Sequence, residues 1–146
     1  MEIHRHFGLD EANAMLPLVR ATFEDVRPMH ERMQRRAVQL VELSQELQLG
    51  MQSIGALPSD VIKRRAELHE LALDIHKRLG RIRDLGVEVK GVDGLADFRS
   101  LYQGRVVYLC WHWDEPEIRW FHELDGGFRG RQAIGDPALF GGDPVN

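Results

Sequence analysis

Between positions 112 and 123 the chain carries His112, Glu115, Glu117, His122 and Glu123, all within one expected strand, turn and strand. Imidazole nitrogens and carboxylate oxygens are the donors of zinc, iron and manganese sites, and a β-hairpin can bring its two arms within a few ångströms. On that reading His112, Glu117 and His122 are the candidate ligands of a divalent ion (Zn, Fe or Mn). Glu115 or Glu123 would then take a proton from bound water, the arrangement of a metal-dependent hydrolase. The spacing matches no established metal signature. The competing reading makes Trp111, Trp113 and Trp120 a core face, His122 a buried histidine with a backbone or carboxylate partner, and the glutamates a solvated turn. If Trp113 faces Ile118 across the turn, strand alternation puts Trp111, Trp113, Trp120 and His122 on one face and His112 with Glu123 on the other.

Other residues offer less. Arg129 and Arg131, in the glycine-rich run Gly126-Gly127-Phe128-Arg129-Gly130-Arg131, are candidate anion-binding groups. The run lacks the lysine and the strand-loop-helix context of a phosphate loop, so a turn with Arg131 paired to a carboxylate competes with it. Cys110 is the chain's single cysteine and lies within an apolar strand candidate, which favours a packed, unreactive thiol. His30 falls on an apolar helix seam, where a polar residue fixes register. His4, His6, His69 and His76 read as surface histidines.

The elements that must position these groups follow from periodicity. Ala12, Val19, Val26, Met33, Leu40 and Leu47 recur every seven residues, which predicts a long helix from Asp10 to about Leu49, bent or broken near Pro28. Gly8 or Asp10 would open it, with Glu11 reaching back to the free amides. Gly50 to Pro58 reads as a connection. Val61, Leu68, Ile75 and Ile82 repeat at seven in a second helix, Asp60 to Asp84, that stops at Gly86. Two such helices fold back on each other as an antiparallel hairpin. Ile3 to Phe7 suggests an edge strand, and Val87–Val89, Leu95–Phe98, Arg105–Trp113 and Ile118–His122 suggest a small antiparallel sheet. The expected fold is α+β within one domain: residues 1–85 forming the edge strand and hairpin, 86–134 the β region with its Gly-rich loop, and 135–146 a poorly ordered tail.

Composition bounds the function. A length of 146 residues fits one domain, and a net charge of −4 disfavours nucleic acid as a partner. The absence of an apolar run near the N-terminus and of any membrane-length segment, with one cysteine, points to a cytoplasmic protein and no membrane partner.

The residues Leu9-Asp10-Glu11-Ala12-Asn13, Leu16-Pro17-Leu18-Val19, Gly86-Val87-Glu88-Val89-Lys90, Asp97-Phe98, Val107-Tyr108-Leu109-Cys110-Trp111, Glu115-Pro116-Glu117-Ile118 and His122 with Gly127-Phe128 and Gly130-Arg131 resemble a prokaryotic family catalogued as domain of unknown function 2203. The resemblance covers nearly the whole chain and implies fold and cellular class, without an activity. Gly8 departs from it where Thr is expected, and Glu123 where Asp is. From the heptad face, the leading expectation is an interaction module that self-associates through its long first helix, by default as a symmetric dimer. The metal-dependent enzyme on the His122/Glu117 cluster is the alternative.

Overall fold

The computed structural model describes residues 4–50 and 59–144. Helix α1 runs Leu9–Gly50 and α2 runs Ser59–Arg83. The connection expected at Gly50–Pro58 lies, apart from the helical backbone at Gly50, outside the described residues, as does Ile3. The Glu11 carboxylate accepts from the Gly8 amide at 3.1 Å, closing the start of α1 as its spacing predicts. The helix is assigned without a break through Pro17 and Pro28, where a bend or break was expected. Both rings lie on the exposed side, where water can satisfy the carbonyl that each proline leaves without a donor. At the end of α2 the Val87 amide donates to the Ile82 carbonyl at 3.1 Å, and Gly86 takes φ 100°, the left-handed closure a helix end favours.

The helices pack antiparallel: Asp25 of α1 meets Arg78 of α2, and Arg36 and Gln39 lie across from Asp60, Lys63 and Glu67. The heptad positions of α1 divide sharply. Ala12, Val19 and Val26 are fully buried, whereas Met33, Leu40 and Leu47 are only half-buried. Among the described residues no helix is long and apolar enough to cross a membrane.

Six antiparallel strands follow: β1 Glu88–Gly91, β2 Leu95–Tyr102, β3 Arg105–His112, β4 Trp120–Glu123, β5 Gln132–Ala133 and β6 Phe140–Gly141. They lie in the order β1-β2-β3-β4-β5, with β6 also against β2. β1 pairs with residues 95–97 of β2 and β6 with residues 101–102, on the same edge. In the gap between them the Phe7 amide donates to the Arg99 carbonyl at 2.6 Å. The described part of the expected N-terminal edge strand, residues 4–7, is thus not a strand: beside the Phe7 bond, its His6 carbonyl accepts from the Asp143 amide at 3.2 Å.

Residues 136–143, which composition reads as a poorly ordered tail, return to the sheet. Phe140 is buried against Tyr102 and Phe121, with ring centroids at 4.7 and 5.2 Å respectively, and Asp143 binds the amide and ring of His6. One buried aromatic ring and two backbone pairings anchor a segment with no periodicity to announce it.

The hairpin of β3 and β4 departs from the expected register. Cys110 pairs with Trp120, Leu109 with Phe121 and Tyr108 with His122, a slip of one residue from the expected Trp113–Ile118 pairing. Because side chains alternate, that slip exchanges the faces of β4. Trp111 points into the core beside Phe23 and the helices, while Trp120 and His122 lie on the opposite face. The cause is the connection. Residues 113–119 form a wide loop in which the Trp111 indole and Arg20 donate to the Glu115 carbonyl, and the Ile118 amide is held by Asn13 of α1.

Candidate functional site

The sheet's helix-distal face is built by the alternate residues of β2, β3 and β4. The two-residue turn Gln103-Gly104, both with positive φ (48° and 78°), fixes the β2–β3 register so that Asp97 stands opposite Cys110. Tyr108, two residues back on β3, pairs with His122. The outcome is a buried group of Asp97, Cys110 and His122 whose donor atoms all lie within 4.8 Å of one another. Asp97 and His122 are each 2% exposed and Cys110 is fully buried.

Hydrogen bonds set the state of the imidazole. Its Nδ1 lies 2.7 Å from the Glu123 carbonyl, an acceptor only, so Nδ1 carries a proton and donates. The Nε2 atom therefore faces Asp97 Oδ2, at 3.1 Å, with one proton shared between them. Burial pushes the Asp97 carboxyl up, against the opposing pull of the His122 charge. Burial and the nearby Asp97 charge push the Cys110 thiol up to about 12, so without a bound cation it stays protonated. The Cys110 thiol stands close enough to the Asp97 carboxylate to interact with it, but the other carboxylate oxygen, Oδ1, meets no donor in hydrogen-bond geometry among the described residues. An orphaned oxygen on a carboxylate sealed from water is costly unless something else satisfies it.

An imidazole nitrogen, a sulfur and a carboxylate oxygen are a ligand set for zinc or another thiophilic divalent ion. The Nδ1–H donation to a backbone carbonyl is also the outer contact that fixes a ligating imidazole and leaves Nε2 as its donor. The residues present fit such an ion.

The sequence-predicted candidates lie elsewhere, His122 excepted. His112 shares the helix-distal face but sits four residues from Tyr108 along β3, roughly 13 Å at strand spacing, and engages Asp114 and, at 4.0 Å, Asp93. Glu117 is exposed and pairs with Arg119 at 3.0 Å. Glu123 forms a fork with Arg105, with contacts of 2.6 to 3.1 Å. Glu115 accepts from the His112 amide at 2.7 Å and pairs with Arg131, serving as the knot of the loop. Arg131 is further engaged by the Cys110 carbonyl at 3.2 Å and stacks on Phe128 and Trp120, whereas Arg129 is exposed. The structure therefore does not bring His112 or Glu117 to His122.

Asp97 and Cys110 were missed as partners of His122. The signal was present, because a tight Gln-Gly turn between two β-rich runs sets which residues face each other. A family model described as Uncharacterized conserved protein (DUF2203) matches residues 5–134 of the chain. No curated protein and no solved structure matches it.

Proposed function

Because the chain belongs to this family, whose description assigns no chemistry, we propose a function from the site itself: the protein binds a thiophilic divalent ion, zinc first, through Asp97, Cys110 and His122. The observation that carries this reading is the convergence of three buried donors around a carboxylate oxygen with no partner. Thiolate and imidazole together disfavour manganese, which prefers oxygen ligands. Three protein donors leave a fourth tetrahedral corner that one buried water could fill, and the burial of all three favours a structural ion over a hydrolytic one.

The test is reconstitution of chelator-treated protein with Zn(II) and Co(II). One ion per chain is expected, with a sulfur-to-cobalt charge-transfer band that Cys110→Ser removes and with loss of binding in His122→Ala. No retained ion, and a thermal midpoint unmoved by either metal, would sink the reading.

A second reading rests on a separate observation. Beyond the core-covered half of the hairpin, Val38, Val41, Ile62 and Leu73 are each more than half exposed, and the α1 heptad positions there are only half-buried, although Val61 of α2 is buried. A second copy of this chain, covering those side chains in a helical bundle, fits that exposure. Light scattering after size exclusion checks it: a dimer is expected at micromolar concentration, and a strict monomer removes this reading without touching the metal site.

A further inference from the structure

At the junction of the α2 C-terminus, the N-terminal segment and the β1–β2 edge lies a recess of about 360 Å³ lined by four cations, Arg5, Arg83, Lys90 and Arg99, and by His4, against one carboxylate, Glu88. In a chain of net charge −4 such a local excess of cation calls for an explanation. We propose that this recess binds a small phosphate-bearing anion.

The obvious counter-argument is the α2 C-terminus, whose carbonyls carry a partial negative charge of their own. Arg5 already serves it, donating to the Leu85 carbonyl at 3.1 Å, and Arg83 stands in the last turn, where a cation offsets the dipole. About half an elementary charge is all a helix end supplies, so it does not neutralise the set. Glu88 is the anion of the recess itself, and Asp97 stands near enough to act on Lys90. Glu88 accepts from Arg99 Nε at 2.7 Å, from Lys90 at 3.4 Å and from the Tyr108 hydroxyl at 2.9 Å. Its negative charge is thereby shared among fixed donors and leaves the rest of the guanidinium fork of Arg99 unspent.

The cations are also pre-positioned. Lys90 and Arg99 lie over the Tyr108 ring, at 4.5 and 5.2 Å from its centroid, and Arg5 lies over Phe7 at 4.3 Å. Side chains held on aromatic faces lose less freedom when a ligand arrives. Gly86 is part of the same construction, since a Cβ there would come within 2.9 Å of Arg5 Cβ.

The size and the charge select the ligand class. The volume lies at the small end of small-molecule sites. A phosphate monoester carries about −1.5 to −2 and offers several acceptor oxygens to guanidinium forks, which a monocarboxylate does not match. The recess shares no residue with the Asp97–Cys110–His122 group, although Lys90 stands near enough to Asp97 for their charges to interact.

Calorimetric titration of the chelator-treated full chain with pyrophosphate and with inorganic phosphate tests it. Saturable binding at one site is expected, weakened about tenfold or more in Arg83→Gln and in Lys90→Gln, since each removes a charge-assisted contact. It should be unchanged in Arg129→Gln, a cation outside the recess. Thermal melts establish that each variant is folded. Absence of saturable binding to either anion, affinity unmoved by both recess variants, an equal loss in Arg129→Gln, or citrate binding as tightly as pyrophosphate would overturn the proposal.

Discussion

The two faces of the sheet are made by alternate residues of the same strands, yet they bury opposite chemistry. The helix-facing side presents Ala96, Phe98, Val107, Leu109, Trp111 and Phe121, buried in one cluster with side chains of α1 and α2, and a single buried hydroxyl, Ser100, which donates to the Gly141 carbonyl at 3.3 Å. The distal side presents Asp97, Arg99, Tyr108, Cys110, Trp120 and His122, three of which are as deeply buried as any core residue but polar or ionisable. Burial on the first face explains itself, because each apolar side chain removed from water contributes to stability. On the second face burial is a cost, which hydrogen bonds cover for His122 and only in part for Asp97. That asymmetry motivates the metal reading, and each prediction below either breaks it or sharpens it.

The largest effect belongs to the apolar face. Trp111→Ala should cost about 4 kcal/mol, the usual scale for deleting a buried aromatic, since it empties the contact with Phe23 and leaves the Glu115 carbonyl with Arg20 as its remaining donor. Urea denaturation measures it, and a loss below about 1 kcal/mol would show that the core does not centre on this ring. On the polar face, His122→Ala should cost about 3 kcal/mol in the metal-free protein, because removing one partner leaves a buried carboxylate uncompensated. Asp97→Asn should cost less, as an amide can still donate to Nε2. Equal losses for the two variants would contradict the shared-proton arrangement. Addition of zinc should stabilise the native protein and neither variant, so the difference between the faces widens when metal is present.

A smaller effect tests the turn that aligns the polar face. Gly104→Ala meets nothing within 4 Å, so its cost is that of the left-handed backbone alone, about 1 kcal/mol. Thermal denaturation reads it. A neutral result would mean the turn does not hold the Asp97–Cys110 register by itself.

That turn also marks the limit of what the sequence discloses. Helix α1, helix α2 and the closing roles of Glu11 and Gly86 follow from seven-residue spacing and terminal chemistry, which are local. The α+β layout follows with them. Pairing across strands is not local. The β3–β4 register depends on how residues 113–119 are gathered by Arg20, Asn13 and the Trp111 indole, contacts that no window of sequence contains. With the register displaced by one, His122 was set beside Trp111 when its neighbours are Asp97 and Cys110. The β2–β3 register was legible, because Tyr102-Gln103-Gly104-Arg105 has the form of a two-residue hairpin turn. Reading it would have placed Asp97 opposite the only cysteine. Phe140 was beyond reach for a different reason: a single apolar residue among Gly, Pro and Asp carries no period.

The smallest effect concerns the margin where the polar face meets the basic recess. Burial alone would raise the Glu88 carboxyl; the hydrogen bonds from Arg99 and Tyr108, with the charges of Arg99 and Lys90, outweigh it and hold the group below the usual carboxylate range. A carboxyl more acidic in the folded chain than in the unfolded one contributes stability that is fully present above its unfolded value. That contribution is lost as pH falls through the lowered folded value, because the unfolded chain takes up the proton first. Glu88→Gln should therefore be less stable than the native protein at pH 7, by under about 1 kcal/mol given its partial exposure, and the two should converge as pH drops below about 4. Urea denaturation of both proteins across that range supplies the difference curve. A difference that persists unchanged at low pH would assign the loss to packing of the carboxylate arm and not to its charge. The same variant sharpens the comparison of faces: without Glu88 the recess loses its one anion, so pyrophosphate should bind more tightly while zinc binding at the buried triad stays as it was.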